Sequence, residues 1–162
     1  MEVNKLSREI GELLREKGLT LGVVESATGG LISHYITNIP GSSDYYQGSV
    51  TSYSNEVKMK VIGVKAGTLE KHGAVSAQAA AEMALGGKKV LAVDICIADT
   101  GIAGPGGATP GKAVGLFYLG LADKNGVLTQ RHRFYGDRQQ NKHSAAEAAL
   151  SWLREYLLGL NG

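Results

Sequence analysis

Apolar positions recur along the chain in two rhythms. Val3, Leu6, Ile10, Leu13 and Leu14 fall at three- and four-residue steps, one face of a helix, and Gly18 is a natural stop after them. Leu19 to Val24 is instead a short apolar run, the length of a buried strand. Leu31, Ile32, Tyr35, Ile36 and Ile39 return to helical spacing, which predicts a second helix from about Gly29 to Ile39, ending before Pro40. Tyr45 to Tyr53, rich in Tyr, Val and Thr, predicts a strand. Ser54 follows as the cap of a short helix carrying Lys58. Thr68 and Ser76 are expected to cap two more helices, the second over Ala77 to Leu85. Val90 to Ile97 predicts another buried strand, and Thr100 to Gly107 a long glycine-rich loop beyond it. Ala113 to Leu121 and Val127 to Phe134 flank Lys124-Asn125-Gly126, a hairpin signal that makes part of the sheet antiparallel. A last helix after Asp137-Arg138 buries Ala146, Ala149, Leu150, Leu153 and Leu157. Strands alternating with helices predict a three-layer α/β/α fold with a mixed, mainly parallel sheet. With no internal repeat and no linker, residues 1–162 are expected to form one domain.

Two of the predicted strands run into glycine-rich loops. Val24 leads into Glu25-Ser26-Ala27-Thr28-Gly29-Gly30, and Ile97 into Thr100–Gly107. Ligands of open α/β sheets gather outside the carboxyl ends of the strands, so both loops should border one pocket. Neither loop has the Gly-Lys-Ser/Thr of a P-loop or the dinucleotide glycine pattern. A hydroxyl on the first loop has two readings. Ser26 and Thr28 cap the following helix, or Ser26 is a nucleophile with nearby N–H groups, at Thr28 to Gly30 or at Gly101, holding an oxyanion. Lys58 has two readings as well. It is a solvated helix charge, as Lys60 and Lys65 are expected to be, or an amine kept neutral by its place near a helix N-terminus and fit to act as a base. His34, His72, His132 and His143 are isolated in sequence, so neither a metal site nor a Ser-His-Asp triad is expected, and lysine is the better base for Ser26.

Composition removes other classes. A formal net charge of +2 is too small to point to nucleic acid or a membrane surface. Cys96 is the single cysteine and stands in an apolar run, so it is expected to be a packed thiol in a reducing, cytoplasmic setting. Glu2 to Lys17 is charged and amphipathic, unlike a signal peptide, and no apolar run reaches membrane-spanning length.

Six separated motifs, in order, resemble one family. They are Glu25–Gly30, Pro40-Gly41-Ser42-Ser43, Tyr53-Ser54-Asn55-Glu56-Val57-Lys58, His72-Gly73-Ala74-Val75-Ser76, Thr100-Gly101-Ile102-Ala103-Gly104-Pro105 and Gly136-Asp137-Arg138. The chain is similar, over nearly its whole length, to the nicotinamide-nucleotide amidases, the C-terminal domain of the CinA competence/damage-inducible proteins, here in a stand-alone form. The resemblance implies a fold like that of anticodon-binding domains and a homodimer or higher homo-oligomer. It implies hydrolysis of the carboxamide of nicotinamide mononucleotide, without a cofactor, by a Ser/Lys mechanism. Ser26 then matches the nucleophile and Lys58 the base. Tyr53 matches a catalytic position that orients one or the other. Thr28, Gly29, Gly30, Ser43, Thr100, Gly101 and Arg138 match substrate positions, Arg138 with the fork suited to a 5′-phosphate. Three positions depart from the family pattern. Ala27 stands where a cysteine is common, which leaves Ser26 as the nucleophile. Gly106 replaces an acidic residue of the loop. Asp99 replaces an apolar or small residue, and either contacts the site or faces solvent. Two alternatives to this activity are a non-catalytic module that binds a nucleotide or a partner, and an amidase for a related small carboxamide.

Overall fold

The computed structural model describes residues 2–160. In chain order it contains α1 (Val3–Lys17), β1 (Leu21–Glu25), α2 (Leu31–Thr37), β2 (Tyr46–Thr51) and the short α3 (Asn55–Val57). It continues with α4 (Ala66–His72), α5 (Ala77–Leu91), β3 (Ile95–Gly101), β4 (Leu116–Asp123), β5 (Gly126–Arg133) and α6 (Arg138–Gly159). The five strands form one sheet in the order β2-β1-β3-β4-β5. β1 pairs in parallel with β2 and β3, and the β3–β4 and β4–β5 pairs are antiparallel. β4 alone therefore runs against the other four strands.

Strand alternation divides the core into two layers. Leu21, Val23, Ile95 and Ile97 face Leu6, Ile10 and Leu14 of α1, Ile32 and Ile36 of α2, and Leu150, Leu153 and Leu157 of α6. Val24, Cys96 and Ala98 face Met83 and Ala84 of α5, with Ile62 and Val64 beside them. The same period of two puts the side chains of Glu25 and Asp99 on the α2/α6 side, at the carboxyl ends of neighbouring strands. Cys96 is buried without a disulfide partner, and its thiol is pushed up to about 12 by that burial. No helix of the described residues is long and apolar enough to cross a membrane.

Most element boundaries shift by a few residues from the sequence reading, and two of the differences have a clear physical reason. α5 runs on to Leu91, so Val90 and Leu91 are helical and the strand begins at Ile95. Val90 is about half exposed, while Leu91 packs over Gly22 of β1. An apolar pair at a helix end has the same composition as a strand start, and periodicity does not separate them. Thr68 lies inside α4 rather than capping it; the cap is Lys65, and the Thr68 hydroxyl donates to Glu82 at 2.5 Å.

The glycines inside α5 explain why the helix passes through them. A Cβ on Gly86 would stand 2.0 Å from the Ile62 carbonyl oxygen, and one on Gly87 would stand 2.2 Å from a Val24 methyl. Close approach here outweighs the helix propensity that alanine would add. Gly86→Ala should therefore destabilise the protein by about 1–3 kcal/mol, the usual cost of overpacking. A denaturant titration checks it, and a gain in stability would show that the Ile62 turn yields freely.

Candidate active site at the carboxyl end of the parallel strands

The parallel strands β1, β2 and β3 all deliver their carboxyl ends to one side of the molecule, and α6 starts on the same side. β1 runs into the Ser26 turn. β2 runs through Ser52 and Tyr53 into α3, where the Ser54 hydroxyl accepts from the Val57 amide, the expected cap. Lys58 follows at the head of a π-helical turn over Lys58–Ile62. Wide turns of this kind re-aim a side chain by opening the helical ladder, and Lys58 is turned inward. It is 1% exposed, whereas Lys60 is exposed and pairs with Glu56 at 2.6 Å.

Lys58 Nζ donates to Ser26 Oγ at 2.9 Å, to the Ser52 carbonyl at 2.7 Å and to the Tyr53 carbonyl at 3.0 Å. Burial pushes its pKa down to about 8, against the opposing charge of Asp99. Three acceptors favour the ammonium and desolvation disfavours it. The balance lies close enough to neutrality that roughly a tenth of the amine is free at pH 7. A buried hydroxyl thus touches a buried amine that can take its proton.

The turn that presents Ser26 is held from below by two carboxylates. Glu25 accepts from the amides of Gly30 at 3.1 Å, Ile32 at 2.9 Å and Ser33 at 3.1 Å, and from the Ser33 hydroxyl at 2.7 Å. A side chain from the preceding strand thereby caps the N-terminus of α2, where negative charge is favoured. Asp99 accepts from the Ser26 amide at 3.0 Å and the Thr28 amide at 3.2 Å. Asp99 is wholly buried, so of its two sequence readings the structure selects contact with the site. Gly29 and Gly30 take φ of 62° and 105° within the turn, a left-handed region that glycine adopts at no steric cost.

These bonds correct part of the sequence reading. The Thr28, Gly29 and Gly30 amides are spent on Asp99, the Ser26 carbonyl and Glu25, so they are not free for a ligand. The Tyr53 hydroxyl touches neither Ser26 nor Lys58. Tyr53 is 61% exposed and its phenolic oxygen accepts from Arg138 Nη2 at 3.1 Å; the Tyr53 carbonyl is what reaches Lys58. Ser43 lies before β2, at the Leu21 end of the sheet and away from Ser26, beside the Arg15–Asp44 pair. Thr100 and Gly101 do end β3 at the site, but the Thr100 hydroxyl donates to the Ala74 carbonyl at 2.7 Å. Arg138 stands at the first turn of α6, with Nη1 donating to the Gly104 carbonyl at 2.8 Å.

Sequence reading missed two residues. Glu25 was part of a motif but had no role, because nothing in the chain shows that a strand-end carboxylate meets the amides of the next helix. Lys142 brings its ammonium over Gly29. Its signal was the four-residue step from Arg138, which places both on one face of α6. Two concavities lie apart from the dyad, one over Gly136, Gln139 and His143, the other at the opposite end of the sheet near Asp94 and Tyr156.

Comparison with known proteins covers the same ground. The family model described as the CinA C-terminal domain matches residues 3–157. A CinA-like protein of Thermotoga neapolitana is 45% identical over 157 residues, 97% of this chain and 38% of that protein. The chain thus spans well under half the length of the curated relatives it matches. Among solved structures, a competence-damaged protein (CinA) superfamily protein from Klebsiella pneumoniae superposes with a TM-score of 0.95 at 31% identity, covering 99% of this chain and 100% of that one. The competence/damage inducible protein CihA from Agrobacterium tumefaciens gives 0.91 at 37% identity, covering 96% and 94%.

Proposed function

The chain belongs to the CinA C-terminal domain family, and from that premise we propose that it hydrolyses the carboxamide of nicotinamide mononucleotide, giving nicotinic acid mononucleotide and ammonia. One observation carries the reading: a buried lysine amine with a lowered pKa stands 2.9 Å from a buried serine hydroxyl.

An amide is a poor electrophile with a poor leaving group. Neutral Lys58 takes the proton of Ser26 Oγ as that oxygen bonds to the carbonyl carbon. The electron-withdrawing pyridinium ring of the substrate makes that carbon easier to attack. The C–N bond then breaks, and the Lys58 ammonium returns its proton to the departing ammonia. Water, deprotonated in turn by Lys58, cleaves the ester and restores Ser26. The tetrahedral intermediate needs a donor for its oxyanion. From Ser26 to His34, every amide except that of Ala27 has a hydrogen-bond partner among the described residues. The Ala27 N–H, directly after the nucleophile, is thus the donor we assign, as in other nucleophile turns. A donor of this kind is worth about 3 kcal/mol in the transition state.

The test is ammonia release from a panel of carboxamides that includes nicotinamide mononucleotide, measured across pH. Lys58 is active only when it has lost its proton, and burial lowers its pKa. The specificity constant should therefore rise with pH, level off above about 8, and fall tenfold per unit on the acid side. No release from the mononucleotide at any pH would remove the reading, and release from a different amide would move the substrate.

Arg138 separates binding from chemistry. Two of the five N–H donors of its guanidinium are used, on Gly104 and Tyr53, leaving the rest for a 5′-phosphate. The α6 N-terminus offers the phosphate less, because the Asp137 and Gln140 side chains already cap it. Arg138→Ala should weaken nicotinamide mononucleotide by about 1.5–3 kcal/mol, the worth of a charge-assisted bond, and leave the riboside nearly unchanged. Specificity constants for the two substrates in wild type and variant measure the difference. Equal losses on both would place the phosphate elsewhere.

A further inference from the structure

The Thr28 hydroxyl lies between two carboxyl groups, 2.7 Å from Glu25 and 2.5 Å from Asp99. Glu25 and Asp99 are both fully buried, and Thr28 is nearly so. A hydroxyl carries one proton and can donate to one of them only. The second contact needs a second proton, which a carboxylic acid must supply. Glu25 accepts from three amides and the Ser33 hydroxyl besides, a set that suits a carboxylate. Besides Thr28, Asp99 has two amide donors and no others among the described residues. The additional proton therefore belongs on Asp99, which donates to Thr28, which donates to Glu25.

We propose that Asp99 is a positioning residue for the Ser26–Lys58 pair: it clamps the nucleophile's turn through two amides, holds a proton against Glu25 through Thr28, and once ionised holds Lys58 in its ammonium form. The functional meaning of this role rests on the amidase reading above; the physical coupling does not.

Geometry connects the two ends. The oxygen of Asp99 that contacts the Thr28 hydroxyl also accepts from the amide of Ser26, and the side chain of that serine accepts from Lys58. Burial and the nearby Glu25 charge push Asp99 up to about 6, and Lys58 titrates near 8. Over the interval between them Asp99 is an anion facing a cation, and it delays the loss of the Lys58 proton. Of the other charged side chains at this end of the sheet, Glu25 ends β1, Arg138 is bonded to Gly104 and Tyr53, and Lys142 stands over Gly29. Glu56 on α3 is turned outward to Lys60. Glu25 is taken up by the N-terminus of α2. Asp99 is the carboxylate whose charge acts on the Lys58 ammonium.

The experiment follows Lys58 and Asp99 directly by carbon NMR of protein labelled at lysine Cε and aspartate Cγ, in wild type and Asp99→Asn, alongside thermal unfolding. Asn keeps the shape, removes the charge and gives up one of the two amide-accepting oxygens, which the thermal unfolding registers. The Lys58 midpoint should fall by roughly 1 pH unit in the variant, the low end for loss of a nearby opposite charge. The acid limb of the specificity constant should move with it. A residue that only supports the fold would lower the unfolding temperature and leave the Lys58 midpoint where it was, and that result would overturn the proposal. The wild-type protein supplies a second check that holds even where the variant fails to fold. One aspartate resonance, assigned to Asp99, should titrate near neutrality, and its titration in the ordinary carboxylate range would overturn the proposal too. Both titrations are read without substrate. A protein that shows them yet releases no ammonia supports the coupling and removes the amidase reading.

Discussion

Ser26→Ala should cost at least about 10⁴-fold in kcat, the scale of losing the attacking atom from a catalytic unit, while the fold survives. The two expectations come from different atoms of one residue. Among the described residues Ser26 Oγ has a single partner, Lys58, and its removal leaves no attacking oxygen. The Ser26 amide, which Asp99 holds, is untouched by the substitution, so the turn keeps its shape. Stability should change by no more than about 1 kcal/mol, as for a small change without cavity or cap loss. Steady-state ammonia release, circular dichroism and a thermal melt check both halves. Turnover near the wild-type level would remove Ser26 as the nucleophile.

Lys58→Arg should be nearly as damaging as Lys58→Ala, about 10³-fold or more in the specificity constant, within the range for a lost general base. Guanidinium keeps its proton at any working pH, so it cannot accept one from Ser26. It is also larger than the slot, which is closed by Ser26, Ser52 and Tyr53. Lys60→Ala is the matched control two residues away. That ammonium is exposed and paired with Glu56, an i,i+4 pair worth about 0.3–0.5 kcal/mol, and its loss should leave kinetics unchanged. Equal losses at the two lysines, or an active Lys58→Arg protein, would contradict the assignment of the base.

The contrast between Lys58 and Lys60 shows what the chain discloses about itself. Local signals carry well: the Ser54 and Ser76 caps, the Lys124–Gly126 hairpin and the run of Leu19 to Val24, of which Leu21 to Val24 lie in β1, each depend on neighbours in sequence. Patterning also placed the Ser26 and Thr100 loops at one end of the sheet, because strands of one direction deliver their ends together. Whether Lys58 turns inward depends on a π-helical turn, for which there is no simple residue signature. The role of Asp99 depends on what lies across the sheet, 73 positions away in sequence. Ser43 was misplaced for a related reason. A motif match ties a residue to a family, but which end of β2 it occupies follows only from the pairing of Tyr46 with Leu21. Tyr53 splits within itself: its carbonyl joins the lysine, and its phenol, free to swing, goes to Arg138.

That β4 runs against its neighbours has a practical reading. The β4–β5 hairpin closes at Asp123–Gly126, the end of the sheet opposite Ser26, and Lys124 and Asn125 are exposed there. Exposed loop tips accept inserted sequence more readily than any other backbone. A fluorophore, an affinity handle or a surface tether placed between Lys124 and Asn125 would sit a full strand length from the dyad. The protein can thus be immobilised or reported on from one pole while its chemistry is measured at the other.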